Sequence, residues 1–237
     1  YNLLGTGTVL LPLMSAAYVP DPKPCLNKVL PGSKMNRRFE LPCDATGKNT
    51  CSAFTWVDEA RKMIGLVFRG TISDEQFEFE LPSLLSARPK KFQNGGQAVP
   101  YFNDAMFSLW NGGLGTNVQE LSRQHPDFDF YIAGHSLGGS MASLAAAHIS
   151  ASGVHPSSKI ILYTVGEPRN GDEQLGHLFD AFRAYRIVHY KDLAPHLPFE
   201  SQGYKHHSQQ VYYENSMAAG EPYVICKAGE DPQCANK

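Results

Sequence analysis

Apolar positions along this chain follow two different periods, and the change from one to the other marks its elements. Aromatic and β-branched residues crowd Cys51 to Asp58 and, across a turn, Lys62 to Phe68, which predicts a pair of strands. Phe128 to Ala133 is a short apolar run, a buried-strand signal, after which Leu137, Met141, Leu144, Ala145 and His148 recur at helical spacing. Lys159 to Val165 predicts another buried strand. Asp172 to Tyr185 predicts a helix with Leu175, Leu178, Phe179 and Phe182 on one face, and Arg186 to His189 a third strand of this type. Gln209 to Tyr213 is strand-like. Towards the N-terminus, Val9 to Tyr18 predicts a helix ending before Pro20, followed by an irregular stretch, while Tyr101 to Trp110 and Val118 to Arg123 predict two further helices. Strands alternating with helices imply the α/β class, a mostly parallel central sheet with helices on both faces. No repeat and no domain-sized linker interrupts the pattern, so residues 1–237 read as a single domain.

Ser73 to Pro100 breaks the pattern. It has no clear period and contains Pro82, Pro89, Gly95 and Gly96. A long unpatterned segment inside a domain signals a lid or binding loop, here about residues 73–98. A chain of 237 residues buries roughly three quarters of its unfolded surface, enough for a core without staples. Net charge is -2, which argues against a polyanionic partner such as nucleic acid. No run of about 18 apolar residues predicts a transmembrane helix. Among the five cysteines, Cys43/Cys51 and Cys226/Cys234 are close pairs without zinc-type spacing, and each reads as a small disulfide loop, which implies an oxidising compartment. Cys25 is left over. The chain begins at Tyr1 without a basic, apolar leader, which fits a processed secreted protein and a trimmed piece equally well.

The chemistry sits where the period switches. Gly134-His135-Ser136-Leu137-Gly138-Gly139 follows the strand and opens the helix, the context of a nucleophile elbow rather than of a bare string match. Such a turn lifts Ser136 Oγ above the sheet at a helix N-terminus, where free N–H groups favour negative charge. The N–H of Leu137 becomes one oxyanion donor. A second is expected from the end of the early strand, where Arg69-Gly70-Thr71 offers the Thr71 N–H and hydroxyl. On such elbows the acid and then the histidine base follow the serine in the chain. Asp192 stands out as the acid, because it lies just past the strand ending at His189, at its carboxyl end. His196 is too close to Asp192 in sequence for a good relay, leaving His206 or His207 as the base.

Taken together, Phe68-Arg69-Gly70-Thr71, Gly134 to Gly139, Gly166-Glu167-Pro168-Arg169-Asn170-Gly171, Arg186 to Pro198 and Gly203-Tyr204-Lys205-His206 resemble the class 3, or fungal-type, lipase family in order and spacing. The cysteine-bearing ends resemble secreted animal members, particularly those of nematodes. The resemblance implies an α/β-hydrolase fold and the triad Ser136, Asp192 and His206, choosing His206 through the pattern Gly-Tyr-x-His. It implies Thr71 and Leu137 as oxyanion donors, a lid after Thr71 and no metal or organic cofactor, and it supports both cysteine pairings. The substrate it implies is an acylglycerol, with Phe77, Phe79, Leu81, Leu84 and Leu85 lining an acyl groove or meeting a lipid interface. Phe77, Phe79 and Leu81 alternate with acidic and amide residues, a strand period unlike a lipase lid helix, which keeps soluble or phenolic esters and phospholipids in play. A non-catalytic lipid-binding protein is the rival from another class. Two departures from the family pattern are Glu167, where glutamine is common, and Asn170, where a small apolar residue is common.

Overall fold

Side chains alternate sides along a strand, so a strand apolar at every position must be covered on both faces. Three central strands have this character: β3 (Met63–Phe68), β6 (Asp129–His135) and β7 (Ile160–Val165). Ile64, Leu66, Phe68, Phe130, Ile132, Ile160 and Leu162 enter one core, while Val67, Ala133, Ile161 and Tyr163 enter another on the opposite face. The computed structural model that shows this describes residues 6–42, 49–71, 88–207, 209–218 and 220–235.

The chain enters through a π-helical turn, Thr6–Leu10, and α1 (Leu11–Ala16), then α2 (Lys23–Val29), β1 (Lys34–Pro42), β2 (Thr50–Asp58) and β3. A small hairpin of β4 (Lys90–Lys91) and β5 (Gln97–Ala98) precedes α3 (Pro100–Leu109) and α4 (Gly115–Gln124). The sequence then alternates β6, α5 (Leu137–Ala151), β7, α6 (Glu173–Gly176), β8 (Arg183–His189), β9 (Gln210–Tyr213) and β10 (Val224–Ile225). The main sheet has eight strands in the order β1-β2-β3-β6-β7-β8-β9-β10. β3, β6, β7, β8 and β9 run parallel, with antiparallel strands at both edges. This is the expected α/β architecture. α1 and α2 cover one face, and α3, α4 and α5 the other. α5 is buried along nearly its whole length, which its run of Ala, Gly and Ser permits by letting it lie close against the sheet.

Two expectations need correction. The irregular stretch after the first helix holds α2 and the edge strand β1. The helix expected over 172–185 is shorter: α6 and a 3-10 turn at His177–Ala181 end it, and β8 has already begun at Arg183. Leu175, Phe179 and Phe182 still reach the core, but Phe182 does so from extended backbone with φ -147° and ψ 173°. Among the described residues, no helix is long and apolar enough to cross a membrane. Cys226 and Cys234 form a disulfide with Cα atoms 6.4 Å apart, and Cys25 is free. Cys51 is disulfide-bonded, while Cys43, its expected partner, lies outside the described residues.

Candidate active site

Ser136 caps α5 with φ 55° and ψ -128°, a conformation that costs a non-glycine residue about 1–3 kcal/mol and persists only where the surroundings enforce it. Here they do. Ser136 N–H donates to Val165 O on the neighbouring strand at 2.9 Å, and Ser136 O accepts from Gly139 and Ser140 N–H at 2.8 and 3.2 Å. The strand thus turns into the helix within one residue, presenting the serine at the carboxyl end of the parallel sheet.

The first turn of α5 packs on the end of β3. A Cβ on Gly138 would lie 2.6 Å from Phe68 O, 2.8 Å from Arg69 C and 2.9 Å from Gly70 N, so only glycine allows this approach. The contact brings the loop carrying Thr71 beside the helix N-terminus that carries Leu137. Arg69 fixes that loop from behind. Its N–H donates to Ser52 O at 2.8 Å, and its guanidinium reaches Glu40 Oε1 at 2.8 Å and Thr50 O at 2.6 Å. Sequence reasoning did not assign Arg69 this part, although the Phe68-Arg69-Gly70-Thr71 motif contained the signal.

Asp192 stands past β8 at the same end. Its Oδ1 accepts from Ala194 N–H at 3.0 Å, and its own N–H donates to His189 O at 3.0 Å. Its Oδ2 rests over Gly166, which has φ +59° and follows β7; a Cβ there would meet Oδ2 at 2.7 Å and His135 Nε2 at 3.8 Å. Desolvation pushes the His135 imidazole below its usual value, opposed by the Asp192 charge. Tyr18 Oη lies 3.1 Å from His135 Nδ1. Ser136 and Asp192 therefore both lie against the end of β7, the serine bonded to Val165 O and the carboxylate resting over Gly166, a part the sequence reading had not given that glycine.

His206, the expected base, has its ring bonded to neither of them in this structure. Its Nε2 donates to Pro195 O at 2.7 Å, so the neutral ring carries its proton there, and Nδ1 is buried without a partner. Burial holds the imidazole well below its usual value, reinforced by the Arg186 and Arg169 charges. A base would show one nitrogen to the serine and the other to the carboxylate. His207 turns the other way, stacking on Phe179 with ring centroids 4.0 Å apart and placing Nε2 3.3 Å from Glu167 Oε2. All nine histidines lie among the described residues, and none has its ring bonded to Ser136 Oγ or to the Asp192 carboxylate. Phe77, Phe79, Leu81, Leu84 and Leu85 lie outside the described residues.

The two departures from the family pattern meet. Asn170 Nδ2 donates to Glu167 Oε1, and Thr164 Oγ1 donates to Oε2. Burial alone would raise Glu167; the His207 charge and hydrogen bond, with the Arg186 charge, outweigh it and hold the carboxyl below its ordinary value.

A strained serine between a parallel strand and a helix, backed by a second loop and an acid at the end of a later strand, defines an α/β-hydrolase. The family model described as Lipase (class 3) matches residues 65–202, more than half of the chain, and the chain belongs to that family. It is 29% identical to the Caenorhabditis elegans lipase ZK262.3 over 92% of this chain and 68% of that protein. It is 35% identical to the secreted mono- and diacylglycerol lipase A of Penicillium cyclopium, over 71% of this chain and 53% of that one. A Gibberella zeae relative, secreted mono- and diacylglycerol lipase 2, is spanned over only 32% of its length. Among solved structures, lipase II from Rhizopus niveus aligns with a TM-score of 0.81 at 22% identity, over 96% of this chain and 86% of that one. The Rhizopus microsporus var. chinensis lipase aligns at 0.80 and 24%, over 99% and 80%. The last two establish the fold.

Proposed function

We propose that this chain carries the nucleophile, the oxyanion donors and the acid of a secreted serine lipase that hydrolyses acylglycerol esters. The observation that carries the reading is the strained Ser136 at the N-terminus of α5, packed through Gly138 against the loop that bears Thr71. Ser136 Oγ attacks the ester carbonyl, and the Leu137 and Thr71 N–H groups receive the oxyanion. Each such donor lowers the barrier by about 3 kcal/mol. Asp192 orients the imidazole that takes the serine proton and later protonates the leaving alcohol; water then repeats the path on the acyl-enzyme. The base carries no residue number in this proposal, because no histidine ring of the chain meets both Ser136 and Asp192. No step calls for a metal or an organic cofactor.

The acylglycerol preference draws on the relatives named as mono- and diacylglycerol lipases and on the rim around Asp192. Leu193 is 76% exposed, Phe199 51% and Tyr190 44%, with Lys191 Nζ 5.1 Å from the Tyr190 ring centroid. An apolar fringe with a cation beside the acid suits contact with a lipid surface. Secretion draws on the Cys226–Cys234 disulfide and on the relatives named as secreted.

The test compares the natural protein with Ser136→Ala on emulsified triglyceride and on soluble p-nitrophenyl butyrate. Turnover of both, rising once the triglyceride forms an interface and absent in the variant, supports a lipase. Turnover of the soluble ester alone moves the assignment to an esterase. Equal turnover by Ser136→Ala would falsify the reading.

A further inference from the structure

Arg169, two residues past Glu167, is 4% exposed and uses every donor it has. Its backbone N–H donates to Leu197 O at 2.8 Å. Its Nη1 donates to His196 O at 2.7 Å and to Pro198 O at 3.0 Å. One residue thus holds three successive carbonyls of the segment that follows the acid. The opposite edge of the guanidinium takes both oxygens of Glu230: Nε donates to Oε1 at 2.8 Å and Nη2 to Oε2 at 2.9 Å. Nη2 also lies 3.5 Å from Glu200 Oε1.

The held segment connects without a break to Asp192. Asp192 Oδ1 accepts from Ala194 N–H, Leu193 O accepts from His196 N–H at 3.0 Å, and Ala194 O accepts from Leu197 N–H at 3.1 Å. These bonds form a 3-10 turn with the carboxylate at its head and Arg169 at its foot. The far anchor is also fixed. Glu230 lies within the loop closed by Cys226 and Cys234, its Oε1 accepts from His206 N–H at 2.8 Å, and the neighbouring Gly229 O accepts from Arg186 Nη2 at 2.9 Å. A buried guanidinium is costly unless its acceptors are in place, and a lysine could not reach these acceptors in their separate directions.

We infer that Arg169 is a positioning residue that braces the Asp192 turn against the disulfide-closed loop, so that the aim of the acid depends on Glu230 and on the Cys226–Cys234 bond. This rests on the proposed role of Asp192. Arg169 itself touches no reacting atom. It acts by keeping the carboxylate from turning when the imidazole beside it gains charge, where a shift of about 1 Å costs about a hundredfold in rate.

The natural protein, Arg169→Lys, Glu230→Gln and the double variant Cys226→Ser/Cys234→Ser are compared in three readouts. These are amide hydrogen exchange across residues 190–198, kcat and KM on soluble p-nitrophenyl butyrate, and the low-pH limb of kcat/KM. The brace predicts exchange at the His196 and Leu197 amides about tenfold faster or more in every variant, with kcat down about ten- to a hundredfold and KM within about twofold. The low-pH limb moves to lower pH, because an imidazole that loses a well-aimed carboxylate gives up its proton more readily. Should Arg169→Lys fail to fold, the near-isosteric Glu230→Gln carries the test. Variants that lose only Tm, while exchange across 190–198, kcat and the pH limb stay native, overturn the brace. Ser136→Ala run alongside separates the two ideas: full activity there removes the functional reading, whereas an inactive Ser136→Ala beside fully active brace variants removes this inference alone.

Discussion

Gly138→Ala puts one methyl group where α5 meets the end of β3. The new Cβ would stand 2.6 Å from Phe68 O, 2.8 Å from Arg69 C and 2.9 Å from Gly70 N. All three are backbone atoms, so no side chain can swing aside. A carbon–oxygen contact needs at least about 3.3 Å, so the loop must retreat by roughly 0.7 Å. Overpacking of this kind costs about 1–3 kcal/mol of stability. The effect on rate is larger, because Thr71 moves with the loop. Oxyanion donors work only within a window of about 0.4 Å, from about 2.7 to 3.1 Å, so the retreat is enough to lose one. Losing one donor costs about 3 kcal/mol, roughly a hundredfold in kcat, with little change in KM. The assay is steady-state hydrolysis of a soluble p-nitrophenyl ester at a temperature where the variant is folded, with Tm measured in parallel. Gly176→Ala is the control, since a Cβ there has nothing within 4 Å. A Gly138→Ala enzyme that keeps kcat within about threefold of native while losing Tm as expected would show that the loop does not carry an oxyanion donor.

Gly166→Ala should be harmed twice, by its φ of +59° and by the 2.7 Å approach to Asp192 Oδ2; a loss of about 1–2 kcal/mol in unfolding free energy is expected together with a fall in kcat, and native kcat would separate Gly166 from the acid. His206→Gln in the natural protein should lower Tm, since the Pro195 contact is lost, yet leave kcat within a few fold; a loss of several orders of magnitude in kcat would restore His206 as the base. Acid should destabilise the fold through His206 and His155, both held below their usual value of 6.5, chiefly by burial. Between those lowered values and 6.5 the unfolded chain binds more protons than the folded one, so this stability is complete above about 6.5 and is lost as pH falls towards the folded values. Tm should therefore be lower at about pH 5.5 than at about pH 7.5, and the His155→Gln/His206→Gln double variant should flatten the slope; equal slopes would refute the assignment.

The strand-to-helix turn that carries Ser136 was legible because three signals coincide at Gly134 to Gly139: the end of a buried strand, the start of a helix and paired glycines. Asp192 was legible because β8 ends just before it. The edge strand β1 was not, since only Phe39 is buried along Lys34–Pro42 and a one-sided polar edge carries almost no period. The helix over 172–185 was read too long because Leu175, Phe179 and Phe182 fit a helical spacing and also fit the 3-10 turn and strand that bury them. His206 and His207 are neighbours whose rings go to opposite sides, one to Pro195 O and the other to Glu167 and Phe179. That divergence is decided by distant partners, which local spacing does not encode. Arg169 was visible as part of a motif, but its acceptors come from residues 196–198 and from Glu230, well away in sequence.

The Glu167–Asn170 contact has an evolutionary consequence. Each residue departs from the common family pattern, and each bonds to the other inside the protein. A glutamate at 167 without an amide at 170 would lack this donor, at a cost of roughly 1–3 kcal/mol, whereas a glutamine at 167 could still accept from Asn170 through its own amide oxygen. The dependence is therefore expected to be one-sided, with Glu167 needing Asn170 more than Asn170 needs Glu167. Reverting both to the common family residues should cost less than the two single reversions added together, with a coupling of about 0.5–3 kcal/mol. Natural relatives with glutamate at the first position should carry asparagine at the second, while asparagine beside glutamine should also occur.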